Sequence, residues 1–564
     1  MSSAAQSFSS PSLSRGDRPL AKSARAHLAR IVSVSGAQAV AIVDSEVSEA
    51  HRRGEERIEI GALLKIASQR TVVMGVVSAV SIPVPDAEPG KEPIGLVELN
   101  LAGEISLDRN TMKPVFRRGV TSIPTIGDPV QIADHSDLAL VYTPTDADTI
   151  TVGTLFQDPS IPARMLVNEL FGKHFTVVGT TGCGKSSALT CILQSVLQDH
   201  RHAHIVLLDI HNEYGGAFGD RAELIDPSNL RLPFWLLNFQ ELTAALVSMD
   251  EHRDAESEIL ADIVLQAKRR YSDAASGRLR KQADSSGITV DTPLPFRLSD
   301  VVQIIDDQLG RLERAQATLP YKRLKARIDS LVSDPRYSFM FGSLVIEDTM
   351  TEVLGRIFRV PIAGKPITVL NLAAVPVEIL DVVISLVSRL AFDLAVWSDG
   401  GVPILLVCEE AHRYAPAEQG GVFQPTRQAL ARIAKEGRKY GVSLALVTQR
   451  PSELDPTILS QCSTAIAMRL STDRDQGVMR ANTHEGALDL LDFLPLLGDR
   501  EAIVLGQGVP MPVRIKFNAV AEVQVPRTRH TGFADAWRTP HMRADELAEV
   551  VRRWRLAVRS KSWA

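Results

Sequence analysis

Gly179-Thr180-Thr181-Gly182-Cys183-Gly184-Lys185-Ser186 is the stretch on which the fold turns. It satisfies the pattern G-x-x-x-x-G-K-[ST] at every position. Apolar Phe175, Val177 and Val178 precede it, and the helix-permissive run Ser187-Ala188-Leu189-Thr190-Cys191-Ile192-Leu193 follows. This is the strand, loop and helix order that a phosphate-binding loop needs. The glycines let backbone N–H groups turn inward around phosphate oxygens, and the helix N-terminus adds positive potential. Residues Gly179 to Ser187 are therefore expected to cradle a nucleotide. Lys185 would neutralise the β- and γ-phosphates, and the Ser186 hydroxyl would hold Mg²⁺. A chance glycine-rich turn is the plainer alternative, and the flanking strand and helix argue against it.

The 564 residues have room for about three to four domain-sized units. Formal net charge is −5, so any contact with nucleic acid has to come from a local patch or an assembled channel. The four cysteines, Cys183, Cys191, Cys408 and Cys462, form no C-x-x-C pair, which favours a reducing, cytoplasmic compartment. No apolar run is long enough to span a bilayer: the best, Val382 to Trp397, is broken by Arg389 and Asp393. Residues 1–26 are rich in Ser, with Arg15, Arg18, Lys22 and Arg25 against Asp17. A transit peptide and a solvated tail both fit, and the tail is the simpler reading.

Residues 27–150 read as a small β-barrel. Val32, Val34, Val40 and Ile42 alternate with small or polar residues around a turn at Gly36. Ile58 to Ile66, Thr71 to Ile82 and Ile94 to Ile105 continue the pattern, with turns at Pro83–Pro93 and Gly127-Asp128-Pro129. This region has no evident catalytic constellation, so docking or assembly is its expected job. An α/β core is expected over 151–239 and 361–520, interrupted by a charge-laced helical insertion over 240–360, with an extension over 521–564. The insertion carries the basic groups Lys268-Arg269-Arg270, Arg278-Leu279-Arg280-Lys281 and Lys322-Arg323-Leu324-Lys325. These could touch phosphate backbones, although solvated helix faces are the commoner explanation. In the extension, Asp545 to Arg559 reads as a basic amphipathic helix centred near Trp554 that could latch onto a partner.

Within the core, His204 to Asp209 reads as a buried strand whose end carries Asp209, His211 and Glu213. They could form a polar cluster near the phosphates, mimic a metal site, or simply cap a turn. Val402 to Cys408 is another apolar strand, and it ends in Glu409-Glu410. Glu409 stands where an acid can hold the Mg²⁺ water shell, and Glu410 where it can deprotonate an attacking water. Pro425 to Tyr440 reads as a helix. Arg427, Arg432, Lys435, Arg438 and Lys439 fall within an arc of roughly 140°, opposite Leu430, Ile433, Ala434 and Gly437. That cationic ridge could reach a neighbouring subunit's γ-phosphate or an acidic polymer, or remain a solvated surface. Val442 to Thr448 is a further strand, after which Gln449 could sense the γ-phosphate. Cys183, beside Lys185 at a helix N-terminus, is expected to have a lowered pKa, against a reading as a small filler residue.

Taken together, the phosphate loop, Asp209-x-x-x-Glu213-Tyr214, Glu409-Glu410-Ala411-His412, Glu436-Gly437-Arg438-Lys439-Tyr440-Gly441 and Thr448-Gln449-Arg450-Pro451 resemble the HerA branch of the HerA–FtsK superfamily. The resemblance covers about Leu28 to Phe517. It implies a RecA-like phosphate-loop ATPase core with a small HAS-like barrel in front. It also implies an ATP- and Mg²⁺-dependent translocase or helicase on double-stranded DNA, working as a homo-hexamer. The partner would be a nuclease or sirtuin-like effector bound through the barrel, in DNA end processing or anti-phage defence, with no membrane. On this resemblance Lys185 and Ser186 bind nucleotide and Mg²⁺, Glu410 is the catalytic acid, and Arg438 is the trans-acting finger, with Arg432 as alternate. Two positions depart from the pattern: Glu409 replaces the common Asp, and Asn212 stands where Gly often precedes Glu213. A nucleotide-binding scaffold that activates an effector without moving along DNA is the main rival. A ring pump for protein secretion is weaker, because no membrane anchor is visible.

Overall fold

The computed structural model describes residues 27–43, 58–68, 71–81, 95–109, 111–144, 147–248, 251–275, 287–311, 315–342, 346–418, 424–483, 488–526, 537–538 and 543–555. The expected N-terminal tail, the turn at Pro83–Pro93 and the basic group Arg278–Lys281 lie outside these residues, as does Leu556 to Arg559 of the expected last helix. The chain forms two compact units divided between Pro144 and Thr145, with Glu485–Leu490 belonging to the first.

The first unit is built on seven antiparallel strands: β1 (Ala29–Ser35), β2 (Gln38–Val43), β3 (Leu63–Ala67), β4 (Val72–Ser81), β5 (Leu96–Leu107), β6 (Pro114–Arg118) and β7 (Pro129–Ile132). They run in the order β2-β1-β7-β3-β4-β5-β6, and β2 also pairs with β5. Six strands thereby close into a barrel. The long β5 gives the first half of one edge to β2 and the second half to β6. Closure leaves few unpaired edges. The inward side of the first hairpin differs from the expected valine pattern. Ala29, Ile31, Ala39 and Ala41 are buried, whereas Val32, Val34, Val40 and Ile42 are only half-buried. A narrow six-stranded interior has room for small side chains, and larger Leu64, Ile66, Val73, Val77, Val97, Leu99 and Val130 fill the rest.

The second unit holds an eleven-stranded sheet. Its strands are β8 (Thr149–Leu155), β9 (Pro162–Leu166), β10 (His174–Val178), β11 (His204–Asp209), β12 (Ala222–Ile225), β13 (Ile367–Asn371), β14 (Ile404–Cys408), β15 (Val442–Thr448), β16 (Cys462–Ala467), β17 (Glu501–Gly506) and β18 (Val513–Phe517). The order is β12-β13-β11-β14-β15-β10-β16-β17-β18-β8-β9. From β12 to β16 all pairings are parallel, and from β16 to β9 they are antiparallel. Every residue of β10, β14 and β15 is buried. Such wholly buried, largely apolar runs belong to parallel strands covered on both faces. This is the RecA-like α/β core with its phosphate loop.

The helix Val377–Trp397 packs along the helix Gln424–Tyr440. Between β12 and β13 the chain forms the helices Phe239–Leu246, Arg253–Ala275, Leu298–Leu309, Ala315–Ser333 and Met350–Phe358. Buried Glu241 ties this insertion to the core, accepting hydrogen bonds from Arg389 Nη2 and Ser385 Oγ, both at 2.9 Å. One expected surface cation is internal. Lys268 is buried, donates to the carbonyls of Val290 at 2.7 Å and Thr292 at 2.6 Å, and its pKa falls to about 8 through burial. It splints a loop and is unavailable to a phosphate backbone. Among the described residues no helix is long and apolar enough to cross a membrane.

Candidate active site

The site lies at the carboxyl ends of β10, β11, β14 and β15, where open parallel sheets place ligands. β10 runs straight into the phosphate loop, and the helix Lys185–Asp199 leaves it. Gly184 has φ of 98°, a left-handed conformation that swings the chain into the helix. At Gly179 a Cβ would lie 2.6 Å from Cys183 Sγ and 2.9 Å from Met468 Cβ. Cys183 thus fills the space that Gly179 leaves. Burial, the largest influence, pushes its thiol pKa up despite the pull of Lys185. This overturns the expectation of an activated thiol: Cys183 packs the inside of the loop.

Lys185 is buried and its Nζ donates to the Thr180 carbonyl at 3.1 Å, so the ammonium lies across the loop mouth. The Ser186 hydroxyl donates to Glu213 Oε2 at 2.8 Å. Glu213 is held there by Asp209 at the end of β11. The Asp209 carboxylate accepts N–H groups from His211 at 3.2 Å, Glu213 at 3.1 Å and Tyr214 at 3.0 Å. Asp209 therefore caps the turn while Glu213 reaches the phosphate loop, and the two readings of that cluster divide between residues. Among the described residues no group of three or more His, Cys, Asp or Glu is arranged to hold a metal, so the strand-borne metal site does not form. Asn212 has φ of 57°. Left-handed backbone explains why glycine suits this position and why asparagine can replace it.

β15 separates the loop strand from the acid strand. Val178 of β10 pairs with Thr448 and Cys408 of β14 pairs with Leu446. Gln449, one residue past β15, therefore stands between the phosphate loop and the paired acids. Its Oε1 accepts a hydrogen bond from Thr181 Oγ1 in the loop. Its backbone N–H faces the Glu410 carboxyl.

Glu409 and Glu410 part at the end of β14. Glu410 takes a left-handed φ of 48°, which turns it away from the strand direction. Such backbone strain concentrates at functional sites. Glu409 is 3% exposed and faces Asp209, Glu213 and Tyr214. Burial first, then those carboxylates and Glu410, push its pKa well up. Burial also raises Glu410, opposed by the charges of Lys185 and His211. Oε2 of both acids is buried without a hydrogen-bond partner. Two orphaned carboxyl oxygens at the end of the acid strand suit a hydrated divalent cation and a nucleophilic water. Mg²⁺ would be held by Ser186, with Glu409 behind its water shell, and would supply charge neutralisation at the phosphates.

His412 received no role from the sequence, although it sits in the quoted motif. Its Nδ1 lies 3.0 Å from Thr448 Oγ1 and 3.3 Å from Glu410 Oε2. Burial lowers its pKa to about 4, so at neutral pH the approach to Glu410 is not an ion pair. The ring sits between Glu410 and β15.

Arg438 and Arg432 both project from the helix Gln424–Tyr440, whose other face, including Leu430, Ile433, Ala434 and Gly437, is buried as expected. Arg432 lies over the Phe392 ring, 4.3 Å from its centroid, and approaches Glu436 at 4.0 Å. Arg427 is half-buried against Asp455 at 3.7 Å. Arg438 is exposed and makes no ion pair among the described residues. Of the predicted set, the structure gathers Gly179 to Ser187, Glu409, Glu410 and Gln449 in one cleft. It leaves Arg438 and Arg432 on the outer surface.

A family profile described as "Helicase HerA, central domain" matches residues 150–391. The DNA double-strand break repair helicase HerA of Pyrococcus furiosus is 25% identical over 71% of this chain and 74% of its own. That of Sulfolobus acidocaldarius is 27% identical over 70% of this chain and 74% of its own. Over about 70% of its length the chain is similar to these HerA helicases. Among solved structures, VirB4 of Thermoanaerobacter pseudethanolicus aligns with a TM-score of 0.47 at 16% identity, covering 67% of this chain and 99% of that one. The HerA profile ends before Glu409, so it contains the phosphate loop and Glu213 but neither the paired acids nor Gln449.

Proposed function

We propose that this HerA-like chain is a Mg²⁺-dependent ATPase that uses hydrolysis to move along double-stranded DNA. The observation carrying the reading is the meeting of Lys185 and Glu410 across one cleft, with Gln449 between them. Lys185 binds and neutralises the terminal phosphates. Gln449, tied to Thr181, registers whether a γ-phosphate fills the loop. Glu410, beside His412, orients a water and takes its proton. The curated relatives are DNA repair helicases by name, which supports DNA as the track.

The same reading makes the working form a ring, with six subunits as the expected number. Arg438 is exposed and unpaired and lies outside its own cleft, as suits an arginine that completes the neighbour's site and stabilises charge on the transferring phosphoryl group. Ring formation also concentrates positive charge that the whole chain, at −5, lacks. The barrel is proposed to dock a nuclease or sirtuin-like effector, in DNA end processing or anti-phage defence within the cytoplasm. The test is ATP turnover by the full chain with and without duplex DNA, alongside Lys185→Ala. Stimulation by DNA, lost in that variant, is expected. Effector activation by Lys185→Ala without nucleotide binding would favour the scaffold instead.

A further inference from the structure

Arg500 belongs to none of the motifs, yet it is fastened to the phosphate loop. Its φ is 62°, a left-handed conformation that a side chain adopts only when its surroundings enforce it. The Arg500 N–H donates to the Cys183 carbonyl at 3.2 Å, and its carbonyl accepts the Phe517 N–H at 2.8 Å. The base of its side chain lies against the loop: a Cβ on Gly184 would lie 3.4 Å from Arg500 Cγ. The acids on either side of it are already engaged, Asp499 by Arg469 at 3.3 Å and Glu501 by Arg514 at 2.8 Å. The Arg500 guanidinium makes no ion pair or hydrogen bond among the described residues, although it is only half-exposed.

The strand order tells which part of a nucleotide it faces. Glu410 and Gln449 stand on the β14 and β15 side of β10, whereas Arg500 enters from β17, on the β16 side. A γ-phosphate directed at Glu410 leaves the α-phosphate and nucleoside on the Arg500 side. We propose that Arg500 binds the α-phosphate end of nucleoside di- and triphosphates within its own subunit, an inference that rests on the nucleotide-site reading above. A guanidinium forks onto phosphate oxygens with fixed geometry, and its planar charge is retained at any working pH.

The experiment titrates the full-length protein with fluorescent ADP and ATP analogues in the presence of Mg²⁺. Arg500→Gly is the informative variant, because glycine accepts the backbone conformation. It is expected to weaken ADP and ATP alike, each about tenfold, with an unchanged melting temperature. Arg500→Lys should recover part of the loss. Wild-type affinity in Arg500→Gly would overturn the proposal. So would a loss confined to ATP, which would place the residue at the γ-phosphate, or a loss that appears only with a lowered melting temperature. Lys185→Ala serves as the parallel control: if it binds both nucleotides normally, the site reading itself fails, independently of Arg500.

Discussion

Ser186 and Glu213, 27 residues apart in the chain, share a hydrogen bond of 2.8 Å in which the hydroxyl is the donor. With its proton committed to Glu213, the serine oxygen turns its remaining lone pairs to the loop mouth. Glu213 in turn stays in place because Asp209 caps the turn beneath it. An outer carboxylate of this kind fixes the orientation of the ligand that touches the metal.

Glu213→Ala is therefore expected to raise the Mg²⁺ concentration needed for half-maximal nucleotide binding by roughly 10- to 100-fold. Nucleotide affinity without Mg²⁺ should change little. Titrating Mg²⁺ against a fluorescent nucleotide reads the effect directly, and an unshifted midpoint would show that Ser186 needs no such orientation.

Glu410→Gln should retain nucleotide and lose turnover by about 10²- to 10⁴-fold, the usual contribution of a general base. The carboxyl must be ionised to accept a proton. Because burial raises its pKa, turnover in the wild type should fall on the acid side starting above the 4.5 of an exposed glutamate. Nucleotide binding should not follow that limb. A kcat profile flat down to pH 4.5 would remove Glu410 from the role of base.

Arg438→Ala should lose turnover while binding ATP normally. Mixing it with Glu410→Gln should restore some activity, because a ring of both contains sites with an intact acid facing an intact arginine. Arg432→Ala should behave differently. It forfeits the stacking on Phe392, worth about 0.5–1 kcal/mol. Its melting temperature should drop slightly and its turnover should stay near wild type. A reversal of the two phenotypes would make Arg432 the finger.

Cys183 should resist alkylation in the folded protein. Its side chain is fully buried and its thiol pKa is raised, so the reactive thiolate is scarce and shielded. Mass spectrometry after iodoacetamide treatment, with and without denaturant, measures this. Rapid labelling in the native state, accompanied by loss of nucleotide binding, would reinstate the activated thiol.

Much of the cleft was legible because its chemistry sits at the ends of largely apolar runs. β10, β14 and β15 each read as buried strands, and the residues that follow them are the ones the structure assembles. What escaped the sequence is whatever depends on strand order or burial. Nothing in the chain places Val442 to Thr448 between the other two strands, so the contact of Gln449 with Thr181 had no local signal. The Cys183 thiol was misjudged because nearby charge is visible in sequence whereas the packing of Met468 and Gly179 around it is not. The buried alanines of the barrel's first hairpin were hidden by the larger, only half-buried valines beside them. Arg500 lay in a segment without a motif, and its one local mark, a left-handed backbone at a non-glycine residue, is conformational.

The position of β15 has one more consequence. Since β10 and β14 both bond to it, the distance between the loop and the acid strand is two backbone-to-backbone steps of the sheet, about 9.5 Å in all. The sheet acts as a caliper, set by main-chain pitch rather than by any side chain. That opening is independent of whatever changes accumulate on the surface of the molecule.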